Sequence, residues 1–169
     1  MKSVLMVIAP ETFRDEEYAH PKEVLETRGA RVVTASSHTG TCRGKLGMEA
    51  EATVTVADSD ARDYDAVVFV GGAGAATYFD DPDAHRIART ALETGRVTAA
   101  ICIAPSILAH AGLLEGRRVT AFESQHDDVV AHGAQWTGEP VTVDGLIITA
   151  NGPEAASGFG EAIAEALGI

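Results

Sequence analysis

One cysteine in this 169-residue sequence stands where sulfur chemistry is expected. The apolar run Val97-Thr98-Ala99-Ala100-Ile101 ends in Cys102, and Ile103-Ala104-Pro105 opens the next segment. A nucleophile on a sharp strand-to-helix turn needs small neighbours two positions either side, because the bend crowds those side chains. Ala100 and Ala104 meet that need, and Pro105 suits a first helical turn, where its missing N–H costs nothing. The sulfur would then face the positive end of a helix, which favours thiolate. A free cysteine with a pKa of about 8.5 is only ~3% ionised at neutral pH, and lowering the pKa to about 5.5 makes thiolate dominant. The competing reading is a buried structural cysteine, common in apolar strands.

Two further segments could serve such a sulfur. Gly71-Gly72 follows the apolar run AVVFV and would let backbone amides approach a ligand, so the Gly72 and Ile103 N–H groups form a candidate oxyanion cradle. The following Ala73-Gly74-Ala75-Ala76-Thr77 only half-resembles a dinucleotide fingerprint, lacks its last glycine and carries no GK[ST]. A plain tight turn competes with both. The stretch Glu11 to Glu17 (ETFRDEE) is acidic around one aromatic. Most of its carboxylates are expected to solvate a helix start, but one turned inward and protonated would donate to a Cys102 thiolate. The six histidines are scattered. His126-Asp127-Asp128 reads as a polar helix start, and without HExxH or a Cys/His quartet no metal is assigned. Cys42, sixty residues from Cys102 with no CxxC, reads as incidental in a glycine-rich turn. A disulfide framework is unsupported, which fits a reducing cytoplasm.

These residues need a scaffold, and alternating β-branched and helical stretches provide one. Strands are expected at Ser3 to Ala9, Arg31 to Ser36, Thr53 to Val56, Ala66 to Val70, Val97 to Ile101 and Arg118 to Ala121. Gly40 to Gly47 reads as a turn-rich hairpin, and Asp144-Gly145 joins the strands Val141 to Val143 and Leu146 to Thr149. Helices are expected over Asp15 to Arg28, from Asp83 as N-cap to Thr94, from Pro105, over Asp127 to His132, and over Glu154 to Leu167. Continuous apolar strands interleaved with helices predict one doubly wound α/β domain over residues 1–169, its mostly parallel sheet covered on both faces. The charge-free stretch Val97 to Leu114 is interrupted by Pro105, so it reads as strand, turn and helix rather than a membrane span. The N-terminal apolar run is short and meets Glu11, Arg14 and Asp15 without an A-x-A pattern, as a first buried strand would. The formal charge of -12, with only three lysines, disfavours nucleic-acid partners. It suits a high-salt cytoplasm or a GC-biased genome equally.

Taken together, AVVFVGG, AAICIAPSILAHAGLLEGRRVTAF and DGLIITANGP resemble the ThiJ/PfpI superfamily over nearly the whole chain. That resemblance implies a flavodoxin-like three-layer α/β/α sandwich with a nucleophile elbow, and a homodimer or higher homo-oligomer. It implies Cys102 as nucleophile and Glu17 as its carboxyl partner, since Glu17 precedes Pro21 by the family's four-residue interval. The oxyanion set becomes Gly71, Gly72 and Ile103, with no cofactor. The chain also departs from the family. Ile103 replaces the histidine that follows the nucleophile in protease-like members, and Phe122 stands where another branch has histidine. His20 or His126 would have to arrive through folding or from a second subunit. The leading expectation is therefore a cysteine-dependent enzyme acting on small reactive carbonyls, of glyoxalase or deglycase type. The alternatives are a non-catalytic oxidative-stress sensor or chaperone-like protein using an oxidisable Cys102, and an intracellular peptidase, the latter disfavoured by the missing histidine.

Overall fold

Ser3–Val7 forms β1, where successive side chains leave opposite faces of the strand and both sets are apolar. Val4, Met6 and Ile8 enter one core, while Leu5, Val7 and Ala9 enter another. A strand apolar on both faces must lie between two helical layers. A computed structural model describes all of residues 1–169 and shows that arrangement.

In chain order the elements are β1, β2 (Glu11–Phe13), α1 (Asp15–Thr27), β3 (Arg31–Ser36), β4 (Gly40–Gly44), β5 (Glu49–Ala52), β6 (Val54–Thr55) and β7 (Ala66–Phe69). They continue as α2 (Pro82–Glu93), β8 (Val97–Ile101), α3 (Pro105–His110), β9 (Arg118–Val119), α4 (His126–Ala131) and β10 (Gln135–Trp136). The hairpin β11 (Val141–Asp144) and β12 (Ile147–Ala150) and the helix α5 (Ala156–Leu167) complete the chain. The main sheet has seven strands in the order β11-β12-β8-β7-β1-β3-β6. Every pairing in it is parallel except β11 with β12, which Asp144-Gly145 connects as an antiparallel hairpin. Leu25 of α1 and Phe159 of α5 fill one core, and Ile87 of α2 and Ile107 of α3 the other. This is a flavodoxin-like α/β/α sandwich.

Four local expectations differ from the structure. Asp83 is not the cap of α2: Asp81 is, its carboxylate accepting from the Ala84 amide at 2.9 Å, with Pro82 in the first turn. Glu11–Phe13 is a short strand rather than part of a helix start, because it pairs with β4. The β4–β5 hairpin extends over Gly40 to Ala52, and Cys42 is fully buried on it rather than set in a turn. The Asp15 carboxylate holds the hairpin turn by accepting from the Leu46 and Met48 amides at 3.0 and 2.9 Å. Finally, Arg118–Val119 leaves the main sheet and pairs with β10.

The packing of α1 on α5 sets the depth of the acidic helix. A Cβ added to Gly160 of α5 would come within 2.9 Å of the Pro21 Cα, so the two backbones approach closely there. Pro21 has no N–H to give the Glu17 carbonyl one turn earlier, yet α1 continues through it.

Candidate active site

Sites in open parallel sheets form beyond the carboxyl ends of the strands, where the strand order reverses. In this sheet the chain runs from β1 outward to β3 on one side, then returns to β7 and β8 on the other. The segments leaving β1, β7 and β8 therefore meet. They carry Glu17, Gly71-Gly72 and Cys102.

Cys102 sits at the end of β8 with φ of 64°, a left-handed conformation that non-glycine residues rarely hold. Two main-chain bonds fix it. Its amide donates to the Ala150 carbonyl at 2.9 Å, and its carbonyl accepts from the Phe122 amide at 2.7 Å. Such strain persists only where the surroundings over-determine it. Cys102 is 8% exposed, so its sulfur is close to the surface but poorly solvated.

Glu17 is fully buried on α1, and neither carboxylate oxygen has a well-formed hydrogen-bond partner. Burial is the main reason its carboxyl is pushed up to about 7, while contacts with the Cys102 thiol and the Gly71 amide and the nearby Arg14 charge pull it down. Gly71 is the hinge between acid and sulfur. A Cβ there would lie 2.6 Å from the Cys102 Cβ and also strike Glu17 Oε1, so only glycine fits. Gly72, at φ of 97°, presses equally close to the backbone of Thr12 and Phe13.

The amides of Gly71, Gly72 and Ile103 are not spent on backbone carbonyls. Those of Gly72 and Ile103 act on the sulfur, whereas that of Gly71 acts on Glu17. Gly71, expected in the oxyanion cradle, thus also has its amide acting on the acid.

Burial opposes the expected thiolate. Burial pushes the Cys102 thiol up to about 12, and the Glu17 charge adds to that rise. The Gly72 and Ile103 amides pull the other way but are outweighed. Burial thus favours the neutral form of each group, and the charge of one raises the other. The two titrate as one unit, so a proton passing from sulfur to carboxylate leaves a single negative charge in the pair.

The groups acting most strongly on the sulfur are thus Glu17 and the two amides. His20 is exposed on α1. His126 bonds Asp127 at 2.9 Å and packs edge-on against Trp136, with ring centroids 4.9 Å apart. Ile103 is half-buried beside the elbow. Sequence reasoning missed Arg14. It pairs with Glu16 at 2.9 Å, and its charge is felt by both Glu17 and Cys102. No motif marks it, because its role depends on the β2–α1 turn whose amide bonds the Gly71 carbonyl at 2.9 Å. A cleft of about 910 Å³ includes Thr120, Phe122, His126, Trp136 and Asn151 in its lining. It borders the elbow through Phe122 and is not lined by Cys102. No helix is long and apolar enough to cross a membrane.

A family model described as the DJ-1/PfpI family matches residues 2–166. The chain is 36% identical over 167 residues to an uncharacterized protein, MJ0967, of Methanocaldococcus jannaschii, covering 97% of this chain and 82% of that one. It is 33% identical over 150 residues to Deglycase PH1704 of Pyrococcus horikoshii, covering 89% and 90%. Its fold superposes on the crystal structure of a ThiJ/PfpI domain protein from Brachyspira murdochii with a TM-score of 0.96 at 34% identity, covering 98% and 96%.

Proposed function

The chain belongs to the DJ-1/PfpI family, and from that premise we propose that it is a cysteine-dependent enzyme that converts small reactive carbonyls without an added cofactor. The observation that carries this reading is the buried Glu17 carboxyl, without well-formed partners, held against the Cys102 thiol across Gly71. The relatives named deglycase support a carbonyl substrate.

Glu17, its carboxyl pushed up to about 7, can serve as a base near neutrality. Its carboxylate takes the thiol proton as Sγ attacks the aldehyde carbon, and the carbonyl electron pair moves onto oxygen. The Gly72 and Ile103 amides receive that oxyanion in a poorly solvated site. The now neutral Glu17 protonates it, giving a hemithioacetal. For a 2-oxoaldehyde, Glu17 then removes the hydrogen on the sulfur-bearing carbon and the electrons pass to the neighbouring carbonyl. Protonation of that next carbon leaves a thioester. Water hydrolyses it to a 2-hydroxy acid and restores the thiol, with no net oxidation. The test is methylglyoxal consumption by purified protein. Cys102→Ala should abolish it and Glu17→Gln should reduce it by roughly a hundredfold or more, the usual range for losing a general base. Undiminished turnover in Cys102→Ala would overturn the reading.

A second reading, oxidant sensing by the same sulfur, is favoured by the free Glu17 oxygens. Peroxide would transfer one oxygen to the thiolate and leave as water. A protonated Glu17 would then donate to the new S–O group. An added oxygen on Cys102 by intact mass, in a protein that turns over no aldehyde, would support this reading instead. Peptide cleavage ranks lower, because it needs a proton donor for the departing amine and Ile103 stands in the histidine position.

A further inference from the structure

A second cluster of titratable groups lies away from the elbow, at the far end of α3. The helix carries the chain from Pro105 to His110, a rise of roughly 9 Å. The His110 ring is held between two carboxylates. Its Nδ1 lies 2.7 Å from Asp80 Oδ1, and its Nε2 lies 3.0 and 2.9 Å from the two oxygens of Asp128 on α4. A neutral imidazole has one N–H, and here both nitrogens face acceptors. If Asp80 takes that N–H, the gap between Nε2 and Asp128 requires a cation. A proton would serve, and so would a metal ion.

A third donor distinguishes a metal from a proton. His132, four residues after Asp128, stacks on His110 with ring centroids 4.8 Å apart, and its Nδ1 lies 2.8 Å from the Asp128 main-chain carbonyl and 3.6 Å from Asp128 Oδ1. One ligand atom each from His110, Asp128 and His132 falls within a span of 4.8 Å. Two imidazoles and a carboxylate form a ligand set suited to zinc-class ions, and three protein ligands leave a position for water. Asp80 on Nδ1 is the outer carboxylate that typically orients a metal-binding histidine.

We propose that His110, Asp128 and His132 bind one divalent ion of the zinc class, with Asp80 orienting His110, and that the ion ties α4 to α3. Metal-free full-length protein is titrated with Zn²⁺ by calorimetry and with Co²⁺ by visible absorption. One saturable equivalent is expected. His110→Ala and the exposed-site variant His132→Ala should each abolish it, Asp80→Asn should weaken it roughly 10- to 100-fold, and Cys102→Ala should leave it intact. The wild-type circular dichroism spectrum of His132→Ala would confirm that it folds. Absence of saturable binding in wild type would overturn the proposal and leave a protonated His110 as the cation. Binding that survives both histidine substitutions, or is lost in Cys102→Ala, would overturn it too.

Discussion

Glu17 and Cys102 meet across the bare Cα of Gly71, where any side chain would overlap both the carboxylate oxygen and the cysteine Cβ. Their pKa values are consequently one property of a shared, poorly hydrated space. Burial raises each, and the charge of one raises the other.

Stability should fall with rising pH because of Glu17. Its carboxyl rises from the ordinary 4.5 to about 7 on folding, so between those values the native state holds a proton that the unfolded state has released. Folding is unpenalised below pH ~4.5, loses stability through pH ~7, and by pH 8 carries a cost on the order of 3 kcal/mol. Glu17→Gln should remove this slope and be the more stable protein at pH 8. Urea denaturation from pH 4.5 to 8.5 would measure it, and parallel curves for the two proteins would refute the assignment.

The thiol should show two steps of reactivity. Iodoacetamide labelling of Cys102 is expected to rise as Glu17 becomes a base near pH 7, and again as the thiol itself ionises toward 12. Glu17→Gln should lose the first step and bring the second to lower pH, because the neighbouring negative charge is gone. Mass spectrometry of the labelled Cys102 peptide against pH gives the profile.

Gly71→Ala should damage chemistry and fold together. The added methyl must displace Glu17 or the elbow, and overpacking of this kind costs about 1–3 kcal/mol. Loss of at least 1 kcal/mol with a disturbed Glu17 titration is expected. Unchanged stability and an unchanged labelling profile would show that the acid is held elsewhere.

Capping of α2 offers a control remote from the site. Asp81→Ala should cost about 1 kcal/mol through loss of the bond to the Ala84 amide, whereas Asp83→Ala should cost under ~0.5 kcal/mol. Equal effects in thermal or chemical denaturation would count against the cap assignment.

The strands of the main sheet are legible in the sequence because each parallel strand is a continuous apolar run bounded by turn residues. The elbow is legible because Ala100, Ala104 and Pro105 answer a steric demand set by the chain itself. Asp81 was passed over for Asp83 because a cap depends on where helical dihedrals begin, and Pro82 moves that point back. The burial acting on the thiol is not legible, because a helix-dipole argument considers the next residues in the chain, while burial comes from α1, β7 and β8 together. The cluster of His110, Asp128 and His132 had no readable spacing. Its members approach only after α3 and α4 pack.

The contact of Gly160 with Pro21 gives the last helix a role in reactivity. α5 reaches no reacting atom, yet it is the floor on which the proline-bearing turn of α1 rests. Bulk introduced at residue 160 would lift that turn and carry the acid with it, so the protein would lose the proposed proton acceptor before it lost its shape. A variant so remote would present in an assay as a defect in proton transfer, its origin at the opposite end of the sequence.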